Sequence, residues 1–463
     1  MPGYAGSTDM ATTTLPRVRV VVLNYDGGEM TLRCLDSLRA LDYPADRVEV
    51  VLVDNASIDG IAERVRDEYP WVTLIESFHN RGFAGGCNLG IGDPASGAYD
   101  YVALLNNDAI AQPGWLRPLV DALEADPGLG AAASKMLFAE RCWGVQVELE
   151  PSYESRTSPF YKGAALTGVK VDGADRLHDA LFDEGFWGLL PGSLPGSFVN
   201  SSKRRGEVRI GERQVQGRPR TMSVRLHAVT PRRATLRTGA ETLEVELDLE
   251  PRWFTLALPD EPDDIVNNAG SCLFQNGYAG DRGFLERDQG QFDAPDEVFA
   301  WCGGAVLLRG AYLADVGLFD ERFFLYYEDT DLAWRGHHKG WRYAYVPTSV
   351  VRHEHAATSG AGSAFFRFYV DRNRLLTLAK NAPAPMVRHA VRKELFPMAK
   401  ALVREVGSGV KHGRPPRWGR GKQQLDSMRS AAALWKAIRA EREAMRAASE
   451  VDDADVMGWA VSK

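Results

Sequence analysis

At 463 residues the chain is long for one domain and calls for two or three. Its 44% hydrophobic and 25% charged content is ordinary for a soluble globular protein, and no run approaches the roughly 18 apolar residues a membrane span needs. Five scattered cysteines (Cys34, Cys87, Cys142, Cys272, Cys302) contain no C-x-x-C pair, which argues against a disulfide framework and a zinc site and for a reducing compartment.

Residues 1–16 are small and polar and read as a disordered N-terminus. Residues 17–23 form a buried strand that runs into Asn24-Tyr25-Asp26-Gly27-Gly28, and residues 29–41 place Met30, Leu32, Leu35, Leu38 and Leu41 at helical spacing. A second strand over 48–53 ends in Asp54-Asn55-Ala56-Ser57, with a helix at about 60–69. A third, over 71–75, precedes Asn80-Arg81-Gly82-Phe83-Ala84-Gly85-Gly86-Cys87-Asn88. A fourth, over 101–105, ends in Asn106-Asn107-Asp108, and amphipathic residues 115–124 follow. This β-α alternation with short links predicts a doubly wound parallel sheet, whose ligands bind beyond the carboxyl ends of the strands. Each strand delivers polar residues there: Asn24, Asp54, Asn80 and Asp108. Taken alone, Asp108 reads equally as an Asx turn, and Asp54 to Ser57 as a helix cap. The glycine stretch is neither a P-loop nor a dinucleotide fingerprint. It reads as a turn that brings backbone close to a flat ligand, with Arg81 free to meet a phosphate.

The ordered set N-Y (24–25), D-N-A-S (54–57), N-R-G-F-A-G-G-C-N-x-G (80–90) and L-L-N-N-D (104–108) resembles the inverting family 2 glycosyltransferases of GT-A fold, and within them the rhamnosyltransferase-like branch. The resemblance implies that Asn24, Tyr25, Asp54, Asn55 and Ser57 serve the base and ribose of a nucleotide sugar. Asn80, Arg81, Gly82, Phe83, Gly85, Asn88, Asn106 and Asn107 would line the same pocket. Asp108 would be the metal-binding carboxylate of the family's D-x-D motif, whose first position is Asn106 here, so that a single carboxylate is supplied.

Between 141 and 262 the pattern changes. Residues 222–226 and 243–250 alternate with period two, and Gly and Pro punctuate the region, predicting an inserted all-β sandwich-like domain. Phe186, Trp187 and Trp253 are candidates for carbohydrate stacking there, or simply for core. Residues 263–380 return to the GT-A half. Trp301-Cys302-Gly303-Gly304 precedes a strand and, with Trp334, is expected near the donor sugar or acceptor, the glycine pair admitting it closely. The run Glu328-Asp329-Thr330-Asp331-Leu332-Ala333-Trp334-Arg335 opens a helix, where the dipole favours negative charge and Asp331 and Arg335 can pair. It resembles the family's base-bearing motif, which makes Asp329 the base and Glu328 its orienting neighbour. By the same resemblance His353 joins Asp108 as a ligand of Mg²⁺ or Mn²⁺, with His355 the alternative.

Residues 381–463 form a basic helical region: between Lys380 and Arg446 sixteen basic residues face five acidic ones, a net +11 against −18 for the remainder. That suits a peripheral membrane contact, a helix packed on the catalytic domain, or a homo-oligomer interface. Nothing in it signals a nucleic-acid module. The expected protein is a cytoplasmic, metal-dependent transferase, at most peripheral at the inner face of the membrane. It would move a sugar from dTDP-rhamnose, or from a UDP-sugar, to a glycan or lipid-linked acceptor. The rivals are a nucleotidyltransferase, which wants a basic glycine loop after the first strand, and a carbohydrate-binding protein with a decayed core.

Overall fold

Runs of Val, Leu and Ala between polar ends produce the first four strands of a computed structural model: β1 (Val18–Asn24), β2 (Val48–Asp54), β3 (Val72–Glu76) and β4 (Tyr101–Asn106). The structure describes residues 15–150, 164–182, 186, 198–199, 205–228, 230–354, 363–411 and 419–462, with the backbone alone at 198–199 and 409–410; Trp187, His355 and most of the expected N-terminal tail lie outside it. The chain divides into two compact units. One comprises Met1–Met136, Asn268–Arg282 and Asp293–Lys463, and the other Leu137–Asn267 and Gly283–Phe292.

In the first unit β3, β2, β1 and β4 lie side by side and parallel. Beyond β4 the sheet turns mixed. The strand Ala305–Arg309 runs antiparallel to both β4 and β6 (Leu129–Phe138). The long strand Arg342–His353 follows and pairs antiparallel with the short β5 (Ala109–Ala111). Helices α1 (Glu29–Arg39), α2 (Ile61–Glu68) and α4 (Leu116–Ala125) turn Leu32, Leu35, Val65, Leu119 and Leu123 into one core with Val20, Val22, Leu52 and Leu105. This is a GT-A-type α/β sheet, with every parallel strand ending on the same edge.

The glycine stretch differs from expectation. It is helix α3 (Gly82–Ile91) rather than a turn, and it lies on the sheet. A methyl added at Gly86 would sit 2.3 Å from Leu23 Cδ1, and one at Gly90 2.4 Å from Val21 Cγ1. These glycines bring helix close to strand. Gly82 does need its freedom, because its φ is +69° and the Phe324 carbonyl fills the space a side chain would take.

After α5 (Gly310–Val316) and α6 (Glu328–His338), four long helices complete this unit: α7 (Ala364–Asn381), α8 (Ala384–Lys411), α9 (Arg420–Ala433) and α10 (Trp435–Ala447). Helix α9 packs on α7 and α8, and α10 on α7. α8 continues through Pro397 and Gly407 to Lys411, and α9 begins at Arg420. Among the described residues no helix is long and apolar enough to cross a membrane.

The second unit is a pair of antiparallel sheets. One orders Leu181–Phe182, Arg205–Gly211, Cys142–Leu149, Arg232–Arg237 and Thr242–Leu247. The other orders Phe198–Val199, Ala165–Val171, Thr221–His227 and Arg252–Ala257. Val145, Val147, Leu166, Val169, Val208, Met222, Val224 and Leu236 meet in a common core. Phe186 belongs to that core, whereas Trp253 lies half open over Gly168 with the Lys170 ammonium 4.5 Å from its ring. Arg287 binds this unit's two segments together, donating to Glu207 at 2.6 Å and to Asp263 at 2.7 Å.

Candidate active site

The in-register ends of the parallel strands define the first part of the site, with Asn24 opposite Asp54 and Leu23 opposite Asn106. Asn24 is wholly buried and its amide is fully used. Its Nδ2 donates to Asp54 Oδ1 and Ser57 Oγ, each at 3.0 Å, and its Oδ1 accepts from Gly27 N, Thr31 Oγ1 and Asn107 Nδ2. The resemblance gave Asn24 a direct hold on the nucleotide; the structure makes it the post on which the pocket is built, with no donor or acceptor left over. Asn107 turns its Nδ2 the same way, donating to Asn24 Oδ1 and Thr31 Oγ1. Asn55 donates to Asn80 Oδ1 and the Gly82 carbonyl and accepts from Arg81 N, tying the end of β2 to the start of α3. What remains turned outward at this edge is Tyr25, which is exposed, together with the half-buried Ser57, Asn80 and Phe83 and the rim of Asp54. Arg81 and Asn88 face elsewhere. Arg81 pairs with Glu321 at 3.1 Å, and Asn88 clasps the backbone of Phe319 from both sides of its amide. Gly85 lies inside α3 against Arg81.

The second part is the pair Asp108 and His353. Pairing of His353 with Ala109 brings the last residue of the long strand beside the end of β4. His353 Nε2 lies 3.0 Å from Asp108 Oδ1 and 3.2 Å from Asn106 Nδ2, and both side chains are nearly buried. Among the described residues no group of three or more His, Cys, Asp or Glu could hold a metal. A carboxylate and an imidazole in contact, completed by diphosphate oxygens and water, nonetheless form a donor set whose chemistry fits Mg²⁺ or Mn²⁺.

The third part is the start of α6. Phe324, Tyr326 and Tyr327 lead into it with φ of 65°, 70° and 68°, a backbone that costs side-chain-bearing residues on the order of 1 kcal/mol each. Buried Asn373 on α7 offsets that cost, pointing its Nδ2 at the carbonyls of Phe323, Leu325 and Tyr326, each 2.8 Å away. Glu328 follows, buried, with no hydrogen-bond partner on Oε2. Burial first and the Asp329 charge second push its pKa well above the carboxylate range. Asp329 is half-buried. It accepts from Thr330 N at 2.6 Å and Gly303 N at 3.3 Å; burial raises its pKa and these bonds restrain the rise. Asp331 is committed to structure: Arg335 and Lys380 at 2.9 Å and Asn381 at 2.8 Å surround it.

Gly303 and Gly304 serve packing here, since added methyls would meet the Phe83 ring and Met136 within 3.0 Å. Trp301 and Trp334 are both fully buried, Trp301 edge-on to Phe319 and Trp334 edge-on to Phe299, so neither offers a face to a sugar. Asp281 carries no sequence signal but belongs with this group. It accepts from Asn268 Nδ2 at 2.6 Å and feels the charges of both Asp329 and His353. The surrounding protein and the Asp329 charge push its pKa up to about 6, although its side chain opens to solvent, which tempers the effect.

Residues 19–143 match the family described as Glycosyl transferase family 2. Over 108 residues it is 32% identical to glycosyltransferase AglE of Haloferax volcanii, a stretch covering 23% of this chain and 34% of that protein. Over 73 residues it is 38% identical to the N-acetylglucosaminyl-diphospho-decaprenol L-rhamnosyltransferase of Mycobacterium tuberculosis, covering 16% and 24%. The chain thus spans about a third or less of the curated relatives it matches. Among solved structures, the mannosyltransferase PcManGT of Pyrobaculum calidifontis with GDP-Man and Mn²⁺ superposes with a TM-score of 0.39 at 16% identity, covering 94% of this chain and 86% of that one. GalNAc-T7 with UDP, GalNAc and Mn²⁺ superposes at 0.45 and 12%, covering 92% and 58%.

Proposed function

We propose that the chain is an inverting, divalent-metal-dependent glycosyltransferase that moves a sugar from a nucleoside-diphosphate donor to an acceptor hydroxyl. One observation carries the reading: a line of contacts joins the candidate base to the candidate metal pair. Asp329 accepts from Gly303 N, the Gly304 carbonyl accepts from Asn106 N at 3.0 Å, and the Asn106 side chain meets His353, which meets Asp108. A carboxylate able to take a proton and a pair able to hold a cation are thus linked through Gly303, Gly304 and Asn106.

Asp329 takes the proton of the acceptor hydroxyl as that oxygen bonds the anomeric carbon. The bond from that carbon to the diphosphate breaks on the opposite side, releasing the nucleoside diphosphate with inversion. Glu328 beside it is buried without a cation, whereas Asp329 is half-buried and hydrogen-bonded to Gly303 N and Thr330 N. Asp108 and His353 would hold the cation, which when bound neutralises charge on the leaving diphosphate. The mycobacterial relative supports rhamnose as the sugar and a lipid-linked glycan as the acceptor.

The test is nucleoside diphosphate release from a panel of nucleotide sugars, with Mg²⁺ or Mn²⁺ and with chelator, for the native chain and Asp329→Asn. Metal-dependent release of one nucleotide, lost in Asp329→Asn while donor binding persists, is expected. Unchanged release in that variant would remove Asp329 as the base, and absence of any nucleotide binding would leave the carbohydrate-binding alternative.

A further inference from the structure

We propose that the solvent face of α8 docks on an anionic phospholipid surface. At 100° per residue, Arg392, Phe396, Lys400 and Val403 fall on one side of the helix. Phe396 is 75% and Val403 73% exposed, and Leu395 and Val406 are also open. Arg388, Arg392, Lys393, Lys400 and Arg404 flank these apolar residues and are exposed, and among the described residues they form no ion pair.

The helix's two acidic residues are both turned inward. Glu394 accepts from Arg374 at 2.6 Å, and Glu405 accepts from Gly421 N at 2.8 Å and from Lys422 N. Sorting charge this way leaves a face with apolar residues at its centre, cations around them and no anion. That is the composition that inserts at the acyl–headgroup boundary of an anionic leaflet. A second copy of the same face would set cations against cations, so self-association is disfavoured.

The inward side of α8 reaches toward the catalytic residues. Glu394 also accepts from Tyr278 Oη at 3.4 Å, and the Arg374 guanidinium lies 4.2 Å from the Tyr278 ring. Tyr278 leads directly into the strand Ala279–Asp281, and Tyr327, just before Glu328, accepts from Ala279 N. A bilayer beneath α8 would thus lie across that helix from Tyr278, on the helix that braces the strand carrying Asp281. This placement rests on the transferase reading with a lipid-linked acceptor.

The experiment is co-sedimentation of the full chain with vesicles of phosphatidylcholine alone or mixed with phosphatidylglycerol, across a salt series. Nucleoside diphosphate release without lipid is measured alongside. The native chain is expected to pellet only with the anionic vesicles and less so at high salt. Arg392→Glu with Lys400→Glu should weaken partitioning at least about tenfold, since each surface cation is worth roughly fivefold. Phe396→Ser with Val403→Ser should weaken it as well, and both exposed pairs should leave lipid-free release unchanged. Equal behaviour with the two vesicle types, or variants that bind as the native chain does, would overturn the proposal. So would loss of a dimer in the Phe396 variant with vesicle binding intact. Vesicle binding without transfer to any lipid-linked acceptor would instead overturn the acceptor reading and leave the docking face standing.

Discussion

His337 closes the helix that Glu328 opens, and its burial makes the stability of this helix depend on pH. The side chain is 5% exposed; its Nε2 donates to the Phe299 carbonyl at 2.7 Å, and its ring stacks on Phe299 and meets Tyr343 edge-on. Burial is the main reason its pKa drops from 6.5 to about 4; the Phe299 carbonyl opposes the drop and the neighbouring His338 adds to it. A base with a depressed folded-state pKa takes up its proton first in the unfolded chain. Stability is therefore intact above pH 6.5 and drains away as pH falls toward 4. At pH 5 the unfolded histidine is almost fully charged and the folded one is not, which amounts to about 2 kcal/mol lost relative to pH 8. His337→Phe removes this proton at a cost of roughly 1 kcal/mol at all pH for the undonated carbonyl. Urea unfolding of the two proteins at pH 8 and pH 5 should show the gap between them closing or reversing on acidification. An identical pH dependence in both, or a native imidazole titrating near 6.5 by NMR, would refute the reasoning.

Gly90→Ala should destabilise by about 1–3 kcal/mol despite alanine's higher helix propensity, because Val21 and Val53 occupy the space its methyl needs; a lowered melting temperature with weakened donor binding checks it. Lys380→Met strips Asp331 and Asp320 of a shared cation and should cost about 3–5 kcal/mol, read as a fall in melting temperature larger than that of a surface Lys→Met control. His353→Ala should weaken Mn²⁺ binding in the presence of nucleoside diphosphate at least about tenfold by calorimetry, with nucleoside diphosphate alone still bound. Because burial holds Asp329 above its ordinary pKa, the transfer rate should fall on the acid side at a pH above the usual carboxylate range; an acid limb at or below pH 4 would contradict that.

The strands and their polar ends were legible because a buried parallel strand leaves a local mark: an apolar run that stops where the ligand edge begins. Asp54 and Asp108 could be placed on that edge for this reason, whereas Asp329, at a helix start, was reached through the resemblance of its motif. Side-chain direction at the edge is a tertiary property, and there the pattern was silent. Asn24 and Asn107 look like ligand-facing amides in one dimension, yet strand register aims each at the other and at Thr31. The glycines of α3 carry a turn signal that packing against Val21 and Leu23 overrides. Asp281 and Asn373 stand in stretches with no period or motif, and only the folding of distant segments brings them to Asp329 and to the left-handed turn before it. Residues 283–292 likewise join the β unit through Arg287, an ion pair invisible to periodicity.

The acidic motif at α6 shows the same limit within four residues. In sequence Glu328, Asp329 and Asp331 are three equivalent charges at a helix start. In the structure one is buried without a cation, and burial pushes its pKa up. One meets Gly303 and Thr330 and stays half-open to the crevice. One is enclosed by Arg335, Lys380 and Asn381, where charge and hydrogen bonds outweigh burial and hold its pKa down. A buried carboxyl without a partner cation, a candidate base and an anchor arise from one short run because α7 and the segment at Gly303 approach it from different sides. The assignment of Asp329 therefore rests on what the other two carboxylates have already been given to do.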